Sequence, residues 1–399
     1  MDFLILSLIK LAVVMAVFMT TLAYLQWIER KVIAHIQLRV GPTRVGPHGL
    51  LQPLADVIKL ITKEGLVPSH VNLVYYCLAP VIAVFFALIA ISVIPFGGEF
   101  TVPFTDIHTS MQLTDLNIGL LLILGLSGMG VYGVALAGWA SNNKYALIGG
   151  LRSSAQMISY ELPMALALAA PLLLVNTLSL REIVNAQSGF YLGFLPKWSI
   201  FALPFPQIIS FILFVIASFA ETNRVPFDLP EAENELVAGF HTEYSSMQFA
   251  SFFMAEYANM VTVCSVATLL FLGGWHPILP DMLGGNWIAA LLFIASGAMM
   301  IFHGTQPARK WDKYTFPAFG VVFIGLGLIF CIPIVQTILM PVFWFCAKVL
   351  FLLFIFIWIR GTLPRFRYDQ LMRFAWLFMF PVALANLLLT AFLVAVFEK

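Results

Sequence analysis

Carboxylates are concentrated in one segment of the chain, residues 220–257, which reads AETNRVPFDLPEAENELVAGFHTEYSSMQFASFFMAEY. Charged residues make up only 10% of the 399 residues, and the whole chain has 20 Asp and Glu. The acidic positions in this segment are Glu221, Asp228, Glu231, Glu233, Glu235, Glu243 and Glu256. Carboxylates that lie close together, or that are withdrawn from water, hold protons more tightly than in solution. The chemistry that this segment indicates is proton transfer.

The prolines in RVPFDLP indicate how the segment folds. They prevent one continuous helix, and Asp228 is placed to cap a short helix that begins near Pro230. In such a helix Glu231 and Glu235 would share one face, whereas Glu233 would point elsewhere. An ordinary solvated acidic loop is the alternative interpretation.

Besides Lys10 in the run 3–28, three charged residues fall inside apolar runs that are long enough to cross a membrane. Glu161 lies in MISYELPMALALAA, Glu256 in SFFMAEYANM, and Lys348 in the run 342–359. Each charge would cost about 2.5–3.5 kcal/mol at the bilayer centre, so each needs a partner or a wet cavity. An ion pair between Lys348 and one of the glutamates is one interpretation. A proton route is favoured, because the acidic loop leads directly into the two glutamates.

Other kinds of site are not indicated. The net charge of +1 does not suggest nucleic-acid binding. The four cysteines lie far apart, in or beside apolar runs, which is typical of buried inert thiols rather than a metal site. The seven histidines lie in loops or at span ends, so no pair is placed to ligate a haem inside the membrane. We expect no bound cofactor and no catalysis from the isolated chain.

The elements that must position these groups are membrane helices. With 61% hydrophobic residues and a mean hydropathy of +0.95, the chain has too much apolar surface for a water-soluble fold. A helix needs about 20 apolar residues to cross about 30 Å of hydrocarbon. Ten runs reach or approach this length: 3–28, 74–94, 116–140, 156–178, 199–220, 249–272, 287–302, 316–339, 342–359 and 374–397. We predict an all-α polytopic membrane protein with a single membrane domain, residues 1–399.

Loop charge gives the orientation of these spans. Most of the 21 Lys and Arg residues fall on alternate loops, so the positive-inside rule puts those loops in the cytoplasm and both termini outside. The first basic loop contains GLLQPLADVIKLITKEG, whose apolar residues recur at helical spacing. This pattern predicts an amphipathic helix at the cytoplasmic membrane surface. A surface helix that only packs on the bundle is the alternative.

Several cytoplasmic stretches together carry a family resemblance. They read ERKVIAHIQLRVGPTRVGPHGLLQPLADVIKLITKE, GWASNNKYALIGGLRSSAQMISYELPM, AETNRVPFDLPEAENELVAGFHTEYSS with MAEY, and WIRGTLPRFRYDQLM. The chain resembles the H subunit of proton-pumping NADH–quinone oxidoreductase, the quinone-site membrane subunit of respiratory complex I. The resemblance implies a bacterial-type inner membrane and a chamber in which a partner subunit's iron–sulfur cluster reduces quinone. The implied partners are that peripheral subunit, adjacent small membrane subunits, quinone and the lipid bilayer.

The resemblance also implies roles for particular residues. Those that would line or shape the quinone path are Glu29, Arg30, Arg39, Asp56, Lys59, Arg224, Phe227 and Asp228. Those that would connect the chamber to membrane proton channels are Glu161, Glu221, Glu231, Glu233, Glu235, Glu243 and Glu256.

The chain departs from the family pattern at two places. Members usually have eight spans, so residues 276–340 are predicted to be an inserted transmembrane hairpin. Leu377 stands where a lysine commonly follows the tryptophan. A related hydrogenase-type complex and a proton-coupled secondary transporter are the alternatives. A transporter should show an inverted internal repeat, and the dense charge occurs only once in this sequence.

Overall fold

The computed structural model describes residues 2–101, 108–202, 204–228, 237–280, 285, 287–306 and 311–397. Its α-helices are α1 Asp2–Ile36, α2 Gln52–Thr62, α3 Leu73–Ala90, α4 Gly119–Ala140, α5 Lys144–Val175, α6 Leu180–Ala186, α7 Ile208–Glu221, α8 Ser246–Phe271, α9 Ile288–Thr305, α10 Asp312–Ile329, α11 Pro333–Thr362, α12 Tyr368–Arg373 and α13 Phe380–Phe397. A π-helical segment, Phe374–Met379, joins α12 to α13.

The remaining regular structure is small. Strands β1 Glu99–Thr101 and β2 His108–Ser110 pair antiparallel, as do β3 Phe190–Tyr191 and β4 Leu195–Pro196. Single 3₁₀ turns are formed by Pro47–Gly49, Ile91–Val93, Ser199–Phe201 and Gly239–His241. The main hydrophobic core lies between α1, α3–α5, α7, α8, α11 and the last helical segments.

Within the described residues, nine helices are long and apolar enough to cross a bilayer, and α7 is a further apolar helix that is shorter. The predicted all-α polytopic architecture is confirmed. One predicted run, 316–339, is wrong as a single helix, because α10 ends at Ile329 and α11 begins at Pro333. Proline suits the first turn of a new helix, since its missing N–H has no intrahelical partner there. Helix α11 then runs on through the separate run predicted at 342–359.

Helix α7 is shorter than the run predicted at 199–220. It is helical only from Ile208 to Glu221, which is about 21 Å at about 1.5 Å per residue. Pro204 and Pro206 precede it, and proline inside a helix removes a hydrogen bond and clashes with the preceding turn. Glu221 is the last residue of this short helix and is only 7% exposed.

Helix α2 forms where the amphipathic pattern predicts it. It contacts α1 and α8, and the Ser246 hydroxyl of α8 donates to the carbonyl oxygens of Leu60 and Lys63 at 2.8 and 2.9 Å. The apolar residues that stay exposed are Leu54, Val57, Ile58 and Ile61. An apolar face left uncovered beside membrane helices favours the interfacial position over packing on the bundle.

Helices α9 and α10 form a hairpin beside the main bundle. Their closest approach is at Gly297 and Gly320, where a Cβ on either would lie 2.6 Å from the other's carbonyl oxygen. A small separate core joins the hairpin to α11: Ala289, Ala290, Phe330, Met340 and Trp344. At its other end, His48 Nε2 lies 3.0 Å from Thr315 Oγ1 and 3.5 Å from Asp312 Oδ1. That this hairpin is an insertion stays a prediction.

Lys348 of α11 is paired with backbone carbonyls rather than with a glutamate. Its ammonium donates to the carbonyl oxygens of Leu272, Gly274 and His276 at 2.6, 2.9 and 2.7 Å, and it lies 4.4 Å from the centroid of the Trp198 ring. These carbonyls follow the C-terminus of α8, where helix carbonyls lack partners and the helix dipole is negative. The lysine therefore stabilises the end of α8.

We expect Lys348→Met to lower the thermal stability of the chain. Three buried carbonyls would lose their donor, at a cost on the order of 3 kcal/mol. Melting of the purified, fluorescently tagged chain within its assembly, followed by size exclusion, measures the effect. Lys197→Met is the matched control, because Lys197 is an exposed lysine. Equal melting temperatures for the two variants would contradict the role given to Lys348.

Candidate functional site

Three carboxylates from three different helices line one internal cavity. Glu161 comes from α5, Glu221 from the end of α7 and Glu256 from α8. The cavity has a volume of about 30 Å³, and a site for one water needs about 10–15 Å³. The space is sufficient for water to bridge the carboxylates. Three of the seven acids predicted to form a proton path therefore share one cavity.

Helix α4 provides the opposite wall of this cavity. Ser127 and Gly128 line it, and a Cβ added at Gly128 would lie 2.7 Å from Glu161 Oε1. The absence of a side chain at this position is what gives the Glu161 carboxylate its room. On the same helix, a Cβ at Gly125 would meet nothing within 4 Å, and Gly125 does not line the cavity. Sequence reasoning missed Gly128, because helical spacing alone does not show which glycine faces an acid.

A second cavity extends from Glu221 along α8. Its volume is about 20 Å³. It shares the lining residues Ser127, Glu221 and Asn259 with the first cavity and reaches Thr262. Within the described residues, Glu221 Oε2 and Thr262 Oγ1 are buried without a hydrogen-bond partner. Buried polar atoms are nearly always bonded to protein or to ordered water. Both cavities are therefore suited to hold water.

Glu243 lies apart from these three acids, beside α3 and the start of α5. Its Oε1 accepts from the side-chain amide of Asn143 at 2.7 Å, and its backbone carbonyl accepts from the Tyr76 hydroxyl at 2.8 Å. The Tyr76 ring stacks on Tyr244 with centroids 4.3 Å apart. This carboxylate is held by a hydrogen-bond network rather than placed in the cavity.

The remaining predicted proton-path acids, Glu231, Glu233 and Glu235, lie outside the described residues, as does the helix predicted to begin near Pro230. Their positions stay predictions. Asp228, which directly precedes this stretch, is buried, and its Oδ2 lies 2.9 Å from Arg365 Nη2.

Gln156 of α5 holds the loop that follows Glu221. Its side-chain amide donates to the carbonyl oxygens of Ala220 and Phe227, both at 2.8 Å. Phe227 is buried and packs on Phe366 and Tyr160, with ring centroids 5.5 and 5.4 Å apart. The loop is thus tied to α5 at both of its ends.

A second charged cluster lies at the end of α1, around Glu29. Only 4% of Glu29 is exposed, and its carboxylate pairs with the guanidinium groups of Arg224, at 3.4 Å, and of Arg360. The Tyr257 hydroxyl donates to its second oxygen at 2.8 Å, and Arg224 lies over the Tyr257 ring at 4.2 Å. A buried carboxylate with this many partners is compensated, as a charge inside a protein must be.

Residues predicted for the quinone path from the first cytoplasmic loop form a third, more exposed group. Asp56 Oδ2 lies 2.9 Å from Arg30 Nη1, and its Oδ1 lies 3.9 Å from Lys59 Nζ. Arg39 is separate from this group: its Nε donates to Gln37 at 2.8 Å on an exposed turn. The structure brings together three of the four residues predicted here.

Sequence reasoning missed Arg360, Arg365, Tyr257 and Gln156 as partners of the predicted residues. The two arginines stand in WIRGTLPRFRYDQLM, where their charge by itself indicates only the orientation of the loop. The sequence did carry a signal for such ion pairs, because the segment has several arginines next to an apolar helix. Which carboxylate each one meets depends on tertiary contacts that sequence spacing does not encode.

Within the described ranges, no group of three or more His, Cys, Asp or Glu is arranged to hold a metal ion. Cys264 is buried in the core, whereas Cys77 and Cys346 are exposed on the helix surface, and all four cysteines are free thiols. That the chain binds no cofactor stays a prediction.

His241 lies next to Phe240 of the cavity lining, in a shell of aromatic rings. The rings of Phe240, Phe249 and Phe253 lie 4.8, 5.3 and 5.9 Å from its own. Burial disfavours the charged imidazolium and lowers the pKa of His241 to about 4. The folded protein therefore holds this histidine neutral.

Ionisable groups that meet between several membrane helices define a class of protein, the polytopic membrane proteins with charged side chains inside the helix bundle. Comparison with known sequences narrows this class. The family described as NADH dehydrogenase matches residues 9–391. The chain is 67% identical over 394 residues to the first H subunit of NADH-quinone oxidoreductase from Solibacter usitatus, covering 99% of this chain and 98% of that protein.

Two further relatives agree. The second H subunit of the same enzyme from Koribacter versatilis is 50% identical over 403 residues, with 98% of each chain covered. The corresponding H subunit from Protochlamydia amoebophila is 45% identical over 373 residues, covering 94% of this chain and 93% of that protein. The chain belongs to the NADH dehydrogenase family of NADH–quinone oxidoreductase membrane subunits.

We expect the stability of the protein to fall as pH drops from about 6.5 to about 4. The unfolded chain protonates His241 at its ordinary pKa of 6.5, whereas the folded chain resists protonation until about 4. The neutral histidine's contribution is thus fully present above pH 6.5 and is lost below it. The difference amounts to about 3 kcal/mol.

Melting temperatures between pH 7.5 and 4.5 measure this effect. His241→Gln should flatten the acid side of the profile, whereas His108→Gln, on an exposed strand, should leave it as in the wild type. Parallel profiles for all three proteins would exclude His241 as the titrating group.

Proposed function

We propose that this chain forms the membrane wall and entrance of a quinone chamber in a proton-pumping NADH–quinone oxidoreductase, and that its acidic cavity links quinone reduction to proton movement. The family assignment supports the enzyme. The cavity shared by Glu161, Glu221 and Glu256 supports the proton-linked role, because a purely structural membrane helix does not need these charges.

The segment 221–228 connects the acidic cavity with the charged cluster around Glu29. Its first residue, Glu221, lines the acidic cavity; Arg224 pairs with Glu29; and its last residue, Asp228, pairs with Arg365. Because Gln156 ties Ala220 and Phe227 to one helix, a shift at the charged cluster is transmitted to the cavity over a few residues. This connection is the observation that carries the proposal.

Electrostatics gives a direction to the coupling. A quinone that takes up electrons becomes negative until protons follow. Negative charge placed beside the Glu29–Arg224–Arg360 cluster alters the electrostatic interactions among these three side chains. The site is shielded from water, so charges interact there more strongly than in solution. Carboxylates in the connected cavity then bind protons, because a nearby negative charge favours the neutral form of a carboxyl group. The chain's own residues hold and move these protons.

The electrons come from outside this chain in the proposal. An iron–sulfur cluster in a peripheral partner subunit donates them to quinone, and adjacent small membrane subunits receive the protons that leave the cavity. Catalysis therefore belongs to the assembled complex, and the isolated chain is not expected to catalyse the reaction.

We also infer the orientation of the chain. The ends of α1 and α11 that carry Glu29 and Arg360, together with α2, face the cytoplasm. Both termini then lie on the outer side of a bacterial-type inner membrane, as the distribution of Lys and Arg favours.

The alternatives receive less support. A hydrogenase-type complex shares the acidic cavity, but the relatives described above are named as quinone enzymes. A secondary transporter would require a different family altogether.

Glu221→Gln should reduce quinone-linked NADH oxidation and proton pumping on the order of 100-fold, the loss typical of a positioned proton-transfer group. An amide keeps the size of the side chain but cannot carry a proton on and off. NADH oxidation by ferricyanide, which bypasses quinone, should stay normal. Inhibitor-sensitive NADH:quinone reduction and pumping by reconstituted complex measure both effects.

Glu182→Gln is the control for this variant, since Glu182 is an exposed carboxylate on the short helix α6. Wild-type pumping in the Glu221 variant would remove this residue from the proposed route.

Gly128→Ala should reduce the same coupled activity about tenfold, because a displaced reacting group loses much of its effect. The added methyl would lie 2.7 Å from the Glu161 carboxylate and must push it aside. The flexible end of a side chain can move, so the fold should survive. Gly125→Ala is the matched control on the same helix, because a Cβ there meets nothing within 4 Å and Gly125 does not line the cavity. Equal activity in the two alanine variants would show that the position of Glu161 does not matter.

A further inference from the structure

A large cavity of the described structure lies on the lipid-facing surface and shares no lining residue with the two cavities of the acidic site. It is an apolar groove of about 540 Å³ between α1, α8 and α11, closed at one end by β1, β2 and the residues after β2. Small-molecule sites have volumes of about 300–1,000 Å³. Val13 and Val17 of α1 and Leu350 of α11 line the groove and are exposed, so it opens toward the surrounding membrane.

Helix α1 provides a ruler for the depth of this groove in the bilayer. Between the charged residues Lys10 and Glu29 it carries only the uncharged stretch LAVVMAVFMTTLAYLQWI. From Lys10 to Glu29 the helix rises about 28 Å at about 1.5 Å per residue, which matches a hydrocarbon core of about 30 Å. The apolar run predicted at 3–28 places Lys10 inside the first span, whereas the rise of α1 between the two charges places it at the boundary between hydrocarbon and headgroups, on the side opposite Glu29.

Inward from Lys10, the groove is as long as the hydrocarbon half of one leaflet. Along α1 it is lined from Leu6 to Thr21; Leu6 lies about one turn beyond Lys10, and the part from Lys10 to Thr21 rises about 16 Å. Along α11 it runs from Val342 to Leu353, again about 16 Å. Half of the hydrocarbon core is about 15 Å. The groove thus covers the leaflet that contains Lys10 and stops near the bilayer centre.

Lys10 supplies a cation at the headgroup end of this groove. Its ammonium lines the groove and donates to the carbonyl oxygen of Ser110 at 2.8 Å. An ammonium has three N–H donors, and the described residues provide this one acceptor. The bond to Ser110 directs the ammonium along the wall, and its other donors suit a phosphate oxygen.

We propose that this groove binds a phospholipid of the leaflet that contains Lys10, with an acyl chain along the groove and its phosphate on the Lys10 ammonium. The match in length and the cation at headgroup depth select this occupant. A transmembrane helix from a neighbour would need a groove through both leaflets. A quinone has no phosphate to pair with Lys10. The proposal does not depend on the proton route.

Lipid retention by the purified assembly tests the proposal. The wild-type assembly is washed extensively in detergent, and the phospholipid that stays bound is identified and quantified by native mass spectrometry and lipid extraction. Lys10→Met should lower retention about fivefold, the loss expected for one hydrogen bond to the phosphate. Lys197→Met, which removes an exposed lysine elsewhere, should retain lipid as the wild type does.

A second variant tests the groove rather than the charge. Val17→Trp should displace the acyl chain by filling the groove, because Val17 lines it and is 61% exposed. Val81→Trp is its control, at a residue of α3 that is 60% exposed and outside the groove.

Loss of phospholipid from both test variants, with both controls unchanged, is the expected result. Retention equal to wild type in either test variant would overturn the proposal. So would loss of a small subunit or of bound quinone, in place of phospholipid, from the Val17 variant.

Discussion

The pairing of Glu29 with two arginines is the interaction on which the end of the bundle next to α2 depends. The carboxylate is buried, and its partners arrive from the loop after α7, from α8 and from the end of α11. A buried charge tolerates no loss of a partner, since the one left behind stays uncompensated. Four separate parts of the chain must therefore assemble in one relative position before this end is stable.

Side-chain amides satisfy the hydrogen-bonding groups of irregular backbone in both halves of the molecule. Gln156 joins Ala220 to Phe227 through their carbonyls. Near the C-terminal end of α8, the side-chain oxygen of Gln187 accepts from the N–H groups of Ser199 and Gly273 at 3.0 and 3.1 Å. Irregular backbone inside a membrane is tolerated where protein groups satisfy it. These amides allow α7 to be short and its flanking loops to be buried.

The sequence predicted the helices well and the contacts between them poorly. Long apolar runs identify spans because the bilayer fixes their length. The break at Pro333 was missed because the residues on both sides of it are equally apolar. Glu161 and Glu256 were recognised because an ionisable residue inside a span is unusual, and Glu221 because it belongs to the acidic segment 220–257. Arg360 and Gly128 were not, because only the folded chain shows which acid each one faces.

The hairpin of α9 and α10 has a mechanical consequence. Its described contacts hold it at both ends, through the small core with α11 and through the contact of His48 with Thr315 and Asp312. Glycines on the facing surfaces bring the two helices into close contact, which makes the pair stiff. A helical hairpin that is held at both ends transmits force to the elements that it contacts. Lateral pressure from the lipids on this side is passed to α11 and to the loop before α2, away from the acidic cavity.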